Sequence, residues 1–303
     1  MASQGVNKAL FNGVREKVIP NNIWDLTDAV RSALRYQINQ LPRKKVSDSE
    51  TRYPTTAAGM RSFLETFFTR HYFQVQNSLI KYLVSEDALS ILRERQLRIL
   101  DIGSGPAVAS LAITDMLVLV LKQLNDAGSW LGRGRLRLIY VLNDTASICL
   151  GTGQRMLDDY FSTRGEHRHW ATAAGTFSVE KAFPANMRQL QRIAHNIGGY
   201  DIAVFSYVLT PLKEDVGLSA LVGGMSAIES LCNNGGRILI LQDKFKAGLM
   251  QRVSGLLGES NHREELTQRA CPGRDENDTH TYSYYSCLYI PMKDNVMCRR
   301  PVV

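Results

Sequence analysis

From Arg98 onward the chain alternates short apolar runs with longer helical stretches: RILDI, LRLIYVL, YDIAVFSYVL and GRILILQD are each followed by one. Runs that short, rich in Val, Ile and Leu, read as strands buried on both faces. A strand that feeds a helical crossover returns parallel to its predecessor. The pattern therefore predicts an α/β fold with a mostly parallel sheet. Such a sheet binds its ligand at the carboxyl ends of the strands, where the strand order reverses. The tail HTYSYYSCLYIPM alternates side chains with period two, as expected of a final antiparallel strand or hairpin at the sheet edge. The DENDTH stretch before it reads as an exposed loop.

The first third has a different grammar. Ile23, Leu26, Val30, Leu34 and Ile38 fall at three- and four-residue intervals, predicting a helix running to Arg35–Gln40 and capped by Asn22 or Asp25. LPRKKVSDSETRYPTT, from Leu41 to Thr56, reads as a linker. A long helix is expected from Ala57 to Leu83, dense in aromatics (Phe63, Phe67, Phe68, Tyr72, Phe73) with His71, Gln74, Gln76 and Asn77 among them. Most of those aromatics suit plain helix packing. The polar set predicts one face turned to solvent, ligand or a cofactor cleft.

Charge divides the chain at nearly the same place. The net charge is +7, and residues 1–98 hold 15 basic against 9 acidic side chains, so +6 of it sits there. A basic surface serves a polyanion, an anionic lipid or an acidic partner, or merely solvates a helical face. Its densest run, Arg43–Lys44–Lys45, is too short for a nucleic-acid signal. With 44% hydrophobic residues among 303, the chain can bury a core, which excludes disordered and collagen-like classes. Its five scattered cysteines include no C-x-x-C, and its six histidines no H-E-x-x-H, so no metal site is expected. His167 and His169 read as surface residues. Reduced thiols and the lack of an apolar leader point to a cytoplasmic protein. Ala107–Leu121 is short for a bilayer and reads as a buried helix, so no membrane partner is expected.

The chemistry concentrates in RILDIGSGPAVASLA, Arg98 to Ala112. A strand ends at Asp101, turns through Gly103-Ser104-Gly105, and enters a helix near Pro106. Glycines let the backbone turn tightly and approach a ligand, and a helix N-terminus offers free N–H donors. Neither G-x-G-x-x-G nor G-K-[ST] is completed.

This segment resembles the opening motif of the class I S-adenosylmethionine-dependent methyltransferases. Leu100, Asp101, Ile102, Gly103, Ser104 and Gly105 match it, and Ala107 stands where a third glycine is common. Three later segments keep the family's order: LRLIYVLNDTAS, with Asn143 and Asp144 at the second strand's end; GGYDIAVFSYVLTPL, with Ser206 and Tyr207 at the fourth; and CNNGGRILILQDK, the turn into the fifth. The resemblance implies a Rossmann-like, seven-stranded, mostly parallel sheet with helices on both faces, in residues 98–303. Residues 1–97 then form an N-terminal helical region that lids the site and selects the acceptor. It implies S-adenosylmethionine as cofactor. Asp101 would lie near the methionyl amino group, Gly103, Ser104 and Gly105 in the cradle, Asp144 (rather than Asn143) on the ribose, and Ser206 facing the cofactor.

Methyl transfer asks mainly for positioning, and a base where the acceptor is a hydroxyl or protonated amine. Tyr207, His71 and Tyr72 are the candidate catalytic residues, with Tyr53 and Gln76 also in reach of such a role. The acceptor is an N or O atom on a small molecule, a protein side chain or RNA. Ser206-Tyr207-Val208-Leu209 replaces the (D/N/S)-P-P-(Y/F/W) of DNA amino-methylating enzymes, and Cys271-Pro272 reverses the Pro-Cys of the cytosine-C5 type, so DNA bases are disfavoured. A different class of function, a catalytically silent assembly or interaction module, is open because the third Gly is altered. TRYPTTAAGMRSFLETF and FSYVLTPL also resemble, more weakly, the methyltransferase-like proteins of mitochondrial small-ribosomal-subunit assembly, whose cysteine cluster Cys271, Cys287 and Cys298 do not reproduce.

Overall fold

The structure, a computed structural model, describes residues 8–128, 134–162, 167–209, 217–270 and 278–291. Most of the GSWLGRGR loop, Thr210–Leu212, Cys271-Pro272, Cys298 and half of DENDTH lie outside the described residues.

Six helices come first: α1 (Lys8–Val18), α2 (Asp28–Gln40), α3 (Asp48–Arg52), α4 (Ala57–Thr66), α5 (Phe68–Leu83) and α6 (Glu86–Arg93). The cap of α2 is Thr27, whose hydroxyl accepts from the Val30 N–H, and not Asn22 or Asp25. The stretch expected as a linker holds α3, capped by Ser47. Its Glu50 carboxylate accepts the N–H and hydroxyl of both Thr55 and Thr56, at 2.7–2.8 Å, and so fixes the entry to α4. The long helix expected over 57–83 breaks at Phe67 into α4 and α5.

Strands and helices then alternate: β1 (Gln96–Ile102), α7 (Val108–Asp126), β2 (Leu136–Asp144), α8 (Ser147–Ser162), α9 (His167–Trp170), β3 (Ala171–Glu180), α10 (Met187–Ile197), β4 (Tyr200–Ser206), α11 (Leu218–Glu229), β5 (Cys232–Asp243), α12 (Ala247–Leu256), β6 (His262–Arg269) and β7 (Thr279–Tyr289). They form one seven-stranded sheet in the order β3-β2-β1-β4-β5-β7-β6. All neighbours from β3 to β5 are parallel, while β7 runs antiparallel to β5 and β6. This is the Rossmann-like sheet expected from the sequence. The tail strand β7 forms, with β6 outside it, the antiparallel hairpin at the sheet edge that was the second of the two expected arrangements. HREELTQR has no apolar period and was not legible as a strand; its charges suit an edge. Trp24 covers part of that edge, donating to Thr267 O and accepting from Arg269 N, both at 3.0 Å.

The period of two divides the strand side chains between two cores. Leu97, Ile99, Leu138, Tyr140, Ile202, Val204, Leu239 and Leu241 pack beneath α5, α7, α8 and the other N-terminal helices. Leu100, Ile102, Val141, Ala203, Phe205, Ile238 and Ile240 pack against α10, α11 and α12. Helix α7 is long and apolar enough by length and composition to cross a membrane, unlike the shorter run read from sequence. Here 72% of that window is buried inside the protein.

Between α5 and α7 lies a polar cluster, buried except at its Thr27 edge. The Asp115 carboxylate accepts from Thr27 Oγ1 (2.9 Å), Tyr72 OH (2.6 Å) and Tyr160 OH (3.0 Å). Gln76 Nε2 donates in turn to Tyr72 OH and to Ala112 O. Four helices are thereby tied at one point.

Candidate functional site

Strand order reverses between β1 and β4, which are neighbours in the sheet but not in the chain. Chain leaving β1 turns over one side and chain leaving β4 over the other, which opens a crevice at their carboxyl ends.

The turn after β1 is built by backbone. Gly103 has φ +70, and a Cβ on it would lie 2.7 Å from Ser206 O, so the turn can press against the end of β4 only as glycine. Gly103 and Ser104 both donate to Asn143 O, at 2.9 and 3.0 Å, and Gly105 donates to Asp144 Oδ2 at 2.9 Å. These donors are therefore spent on β2 rather than left free. Gly105, with φ +51, has only the Phe63 ring, at 3.8 Å, near where a Cβ would stand. Helix α7 begins at Val108 and not at Pro106, because Ala107 is left-handed (φ 57, ψ 36).

Two acidic residues flank the turn. Asp101 is fully buried, and its Oδ2 accepts the Ser110 N–H (3.0 Å) and hydroxyl (2.9 Å), capping α7 from the strand beneath. Burial pushes its carboxyl up to about 7, against the pull of the two Ser110 bonds. Its Oδ1 is buried with no hydrogen-bond partner among the described residues. Asp144 lies half-buried at the end of β2, and burial raises its carboxyl too, against bonds from Ala146 and Gly105 N–H. Asn143 is committed elsewhere, donating to Val179 O and Lys181 O. Of the two, Asp144 is the one bonded to the glycine turn.

The opposite wall is the end of β4. Ser206 Oγ is buried without a partner among the described residues. Tyr207 follows with φ +59, a conformation that costs a bulky residue about 1–2 kcal/mol and persists where the surroundings over-determine it. Its hydroxyl donates to Gln74 Oε1, and its ring stacks on His71 at 3.9 Å. The sheet, the glycine turn and the switch point make a Rossmann-like α/β fold with its crevice at the carboxyl ends of β1 and β4.

No protein-family model matches the chain, and no curated protein matches it. Among solved structures it is similar to the precorrin-6Y C5,15-methyltransferase of Geobacter metallireducens, at 12% identity and TM-score 0.38, over 69% of this chain and 90% of that one. It is similar to the precorrin 8w decarboxylase of Methanobacterium thermoautotrophicum, at 15% identity and TM-score 0.35, over 69% and 91%. An rRNA methylase of Streptococcus thermophilus compares at 12% and 0.35, over 65% and 89%. Likenesses this loose assign neither activity nor substrate.

The residues singled out as catalytic from sequence separate. His71 joins Tyr207, and also neighbours Phe63 and Phe67 at ring distances of 5.7 and 5.9 Å. Burial, then the charge of Arg70, hold its imidazole well below its ordinary range, so it is neutral. Tyr72 is instead buried in the Asp115 cluster, and Tyr53 is exposed. Burial raises the Tyr207 hydroxyl, which keeps its proton.

Two further residues of α5 belong to this wall: Gln74, read from sequence only as part of a polar set facing solvent, ligand or a cofactor cleft, and Arg70, not singled out at all. Gln74 is wholly buried, its Oε1 takes the Tyr207 hydroxyl, and its Nε2 has no partner among the described residues. An amide left so costs about 1–3 kcal/mol. Arg70 stacks its guanidinium over Tyr282, 4.9 Å from the ring centre, and its Nε is likewise buried without a partner. Their i, i+4 spacing, with His71 between, was the available signal. Among the described residues no group of three His, Cys, Asp or Glu could hold a metal.

Proposed function

We propose that the chain is an S-adenosylmethionine-dependent methyltransferase that transfers a methyl group to an N or O atom of a small molecule, a protein side chain or RNA. The observation that carries this is the convergence of the glycine turn, Asp144 and a strained Tyr207 on the switch point of the sheet. The unpartnered Asp101 Oδ1 and Ser206 Oγ fit a polar ligand with a cation and several hydrogen-bonding groups.

When bound, the cofactor supplies an electrophilic methyl group on a sulfonium that carries its own leaving group. Gly103, Ser104 and Gly105 would hold it by close backbone approach, Asp144 by its hydroxyls, and Asp101 and Ser206 by their free oxygens. Residues 1–97 form the lid, since Phe63 from α4 and His71 from α5 sit over the glycine turn and Tyr207. His71, neutral and stacked on Tyr207, is the candidate to take a proton from the acceptor, although the burial that keeps it neutral also makes it a weak base. Tyr207, protonated, can only donate or orient. Tyr72 supports the site from the core. The three described cysteines are free and buried, which fits a cytoplasmic setting.

Isothermal titration tests the reading. S-adenosylmethionine or S-adenosylhomocysteine should bind, and Asp101→Ala should weaken both. Failure to bind either, or unchanged binding in the variant, refutes it. Transfer of a labelled methyl group into a fractionated lysate then shows whether RNA, protein or small molecules take the label, and binding without any transfer would make the chain a silent module.

A further inference from the structure

We infer that α5 carries a carboxylate-binding pair, Arg70 and Gln74, that receives the amino-acid end of the cofactor; the inference rests on the methyltransferase reading. Residues four apart share a helix face, so both side chains leave α5 on the side that carries His71 against Tyr207. The Tyr207 hydroxyl takes the Gln74 Oε1, which fixes the amide and leaves its Nε2 as a buried donor with no acceptor among the described residues. The Arg70 Nε is a second such donor, and the Arg70 charge acts on both His71 and Tyr207. Two unsatisfied donors, one of them cationic, call for an anionic acceptor with two oxygens. The wall they belong to is the wall of the cofactor crevice, because Tyr207 follows Ser206, whose carbonyl presses on Gly103. On the methyltransferase reading, the anionic group a ligand brings there is its carboxylate.

The pair explains why a helix from the N-terminal third enters the site at all. It also separates two roles of Gln74 that one variant can divide. Gln74→Glu keeps an oxygen for the Tyr207 hydroxyl but replaces the donor with a negative charge. Arg70→Gln, at a half-exposed position, removes the cation and leaves the stem.

The test is calorimetric titration of the full chain with two probes, S-adenosylhomocysteine and 5′-methylthioadenosine, which lacks the amino-acid end. Each variant should bind S-adenosylhomocysteine about tenfold more weakly or worse, and 5′-methylthioadenosine as the parent does. Undiminished S-adenosylhomocysteine affinity in both variants overturns the inference. So does an equal loss for the two probes, which would make the pair merely structural. If the parent binds neither probe, the methyltransferase reading itself falls. Should Gln74→Glu fail to fold, Arg70→Gln decides alone.

Discussion

Ala107 carries a methyl group into the left-handed region, where glycine is at no disadvantage, and this costs about 1 kcal/mol. The structure accommodates it from the neighbouring helix α8. A Cβ on Gly153 of α8 would stand 2.9 Å from the Ala107 Cβ and 2.8 Å from its N. The sequence marked Ala107 as the altered third glycine, but nothing local announced that Gly153 makes room for it. Ala107→Gly should stabilise the protein by about 1 kcal/mol, and Gly153→Ala should destabilise it by about 1–3 kcal/mol in urea unfolding. The double variant should recover only part of that loss, since the backbone of Pro106 and Ala107 still blocks the added methyl. Asp101 gives a second prediction. Its carboxyl rises from 3.8 to about 7 on folding, so the native state holds the extra proton between those values. Its contribution is greatest below 3.8 and is lost as pH rises through 7. Thermal melts from pH 5 to 8 should therefore show Asp101→Asn gaining on the parent as pH rises; parallel curves would contradict the assignment.

At the scale of elements, α5 shows why a helix can be legible while its chemistry is not. The apolar spacing and aromatic density marked the helix, yet His71 and Tyr72 were both candidates for proton transfer on a segment expected to lid the site. Adjacent helical residues point about 100° apart, so His71 reaches Tyr207 while Tyr72 reaches Asp115. The Asp115 cluster holds α2, α5, α7 and α8 together through hydroxyls, those of Tyr72 and Tyr160 with no water to turn to. Asp115→Ala should cost about 3 kcal/mol or more in chemical denaturation, because it strands the buried Tyr72 and Tyr160 hydroxyls as well as Thr27. A loss below about 1 kcal/mol would show that the cluster repacks. The same contrast holds in the sheet. β1, β2, β4 and β5 announced themselves as apolar runs because both their faces are covered. β3 and β6 did not, since ATAAGTFSVE and HREELTQR are edge strands chosen for exposure rather than burial.

For the whole molecule, the sequence divided the chain near Arg98, by charge and by grammar. Packing does not follow that line: one hydrophobic core runs from Leu10 on α1 to Tyr284 on β7. Residues 8–95 are therefore a covering layer of the sheet. Removing them should leave a chain that exposes that face, aggregates and gives no cooperative melt, whereas an independent cofactor domain would melt cooperatively and still bind S-adenosylhomocysteine. The stitching of the two ends has a further consequence. Trp24 pairs with Thr267 and Arg269, Thr69 with Gln268, and Asn77 with Glu264 and Tyr284. On a ribosome the helices of this layer emerge before β6 and β7 and must wait, apolar faces bare, until those strands have been made. Contacts of such long separation close late. A layer synthesised before the sheet is thus secured only after most of it, and the face it covers is finished only when β6 and β7 arrive.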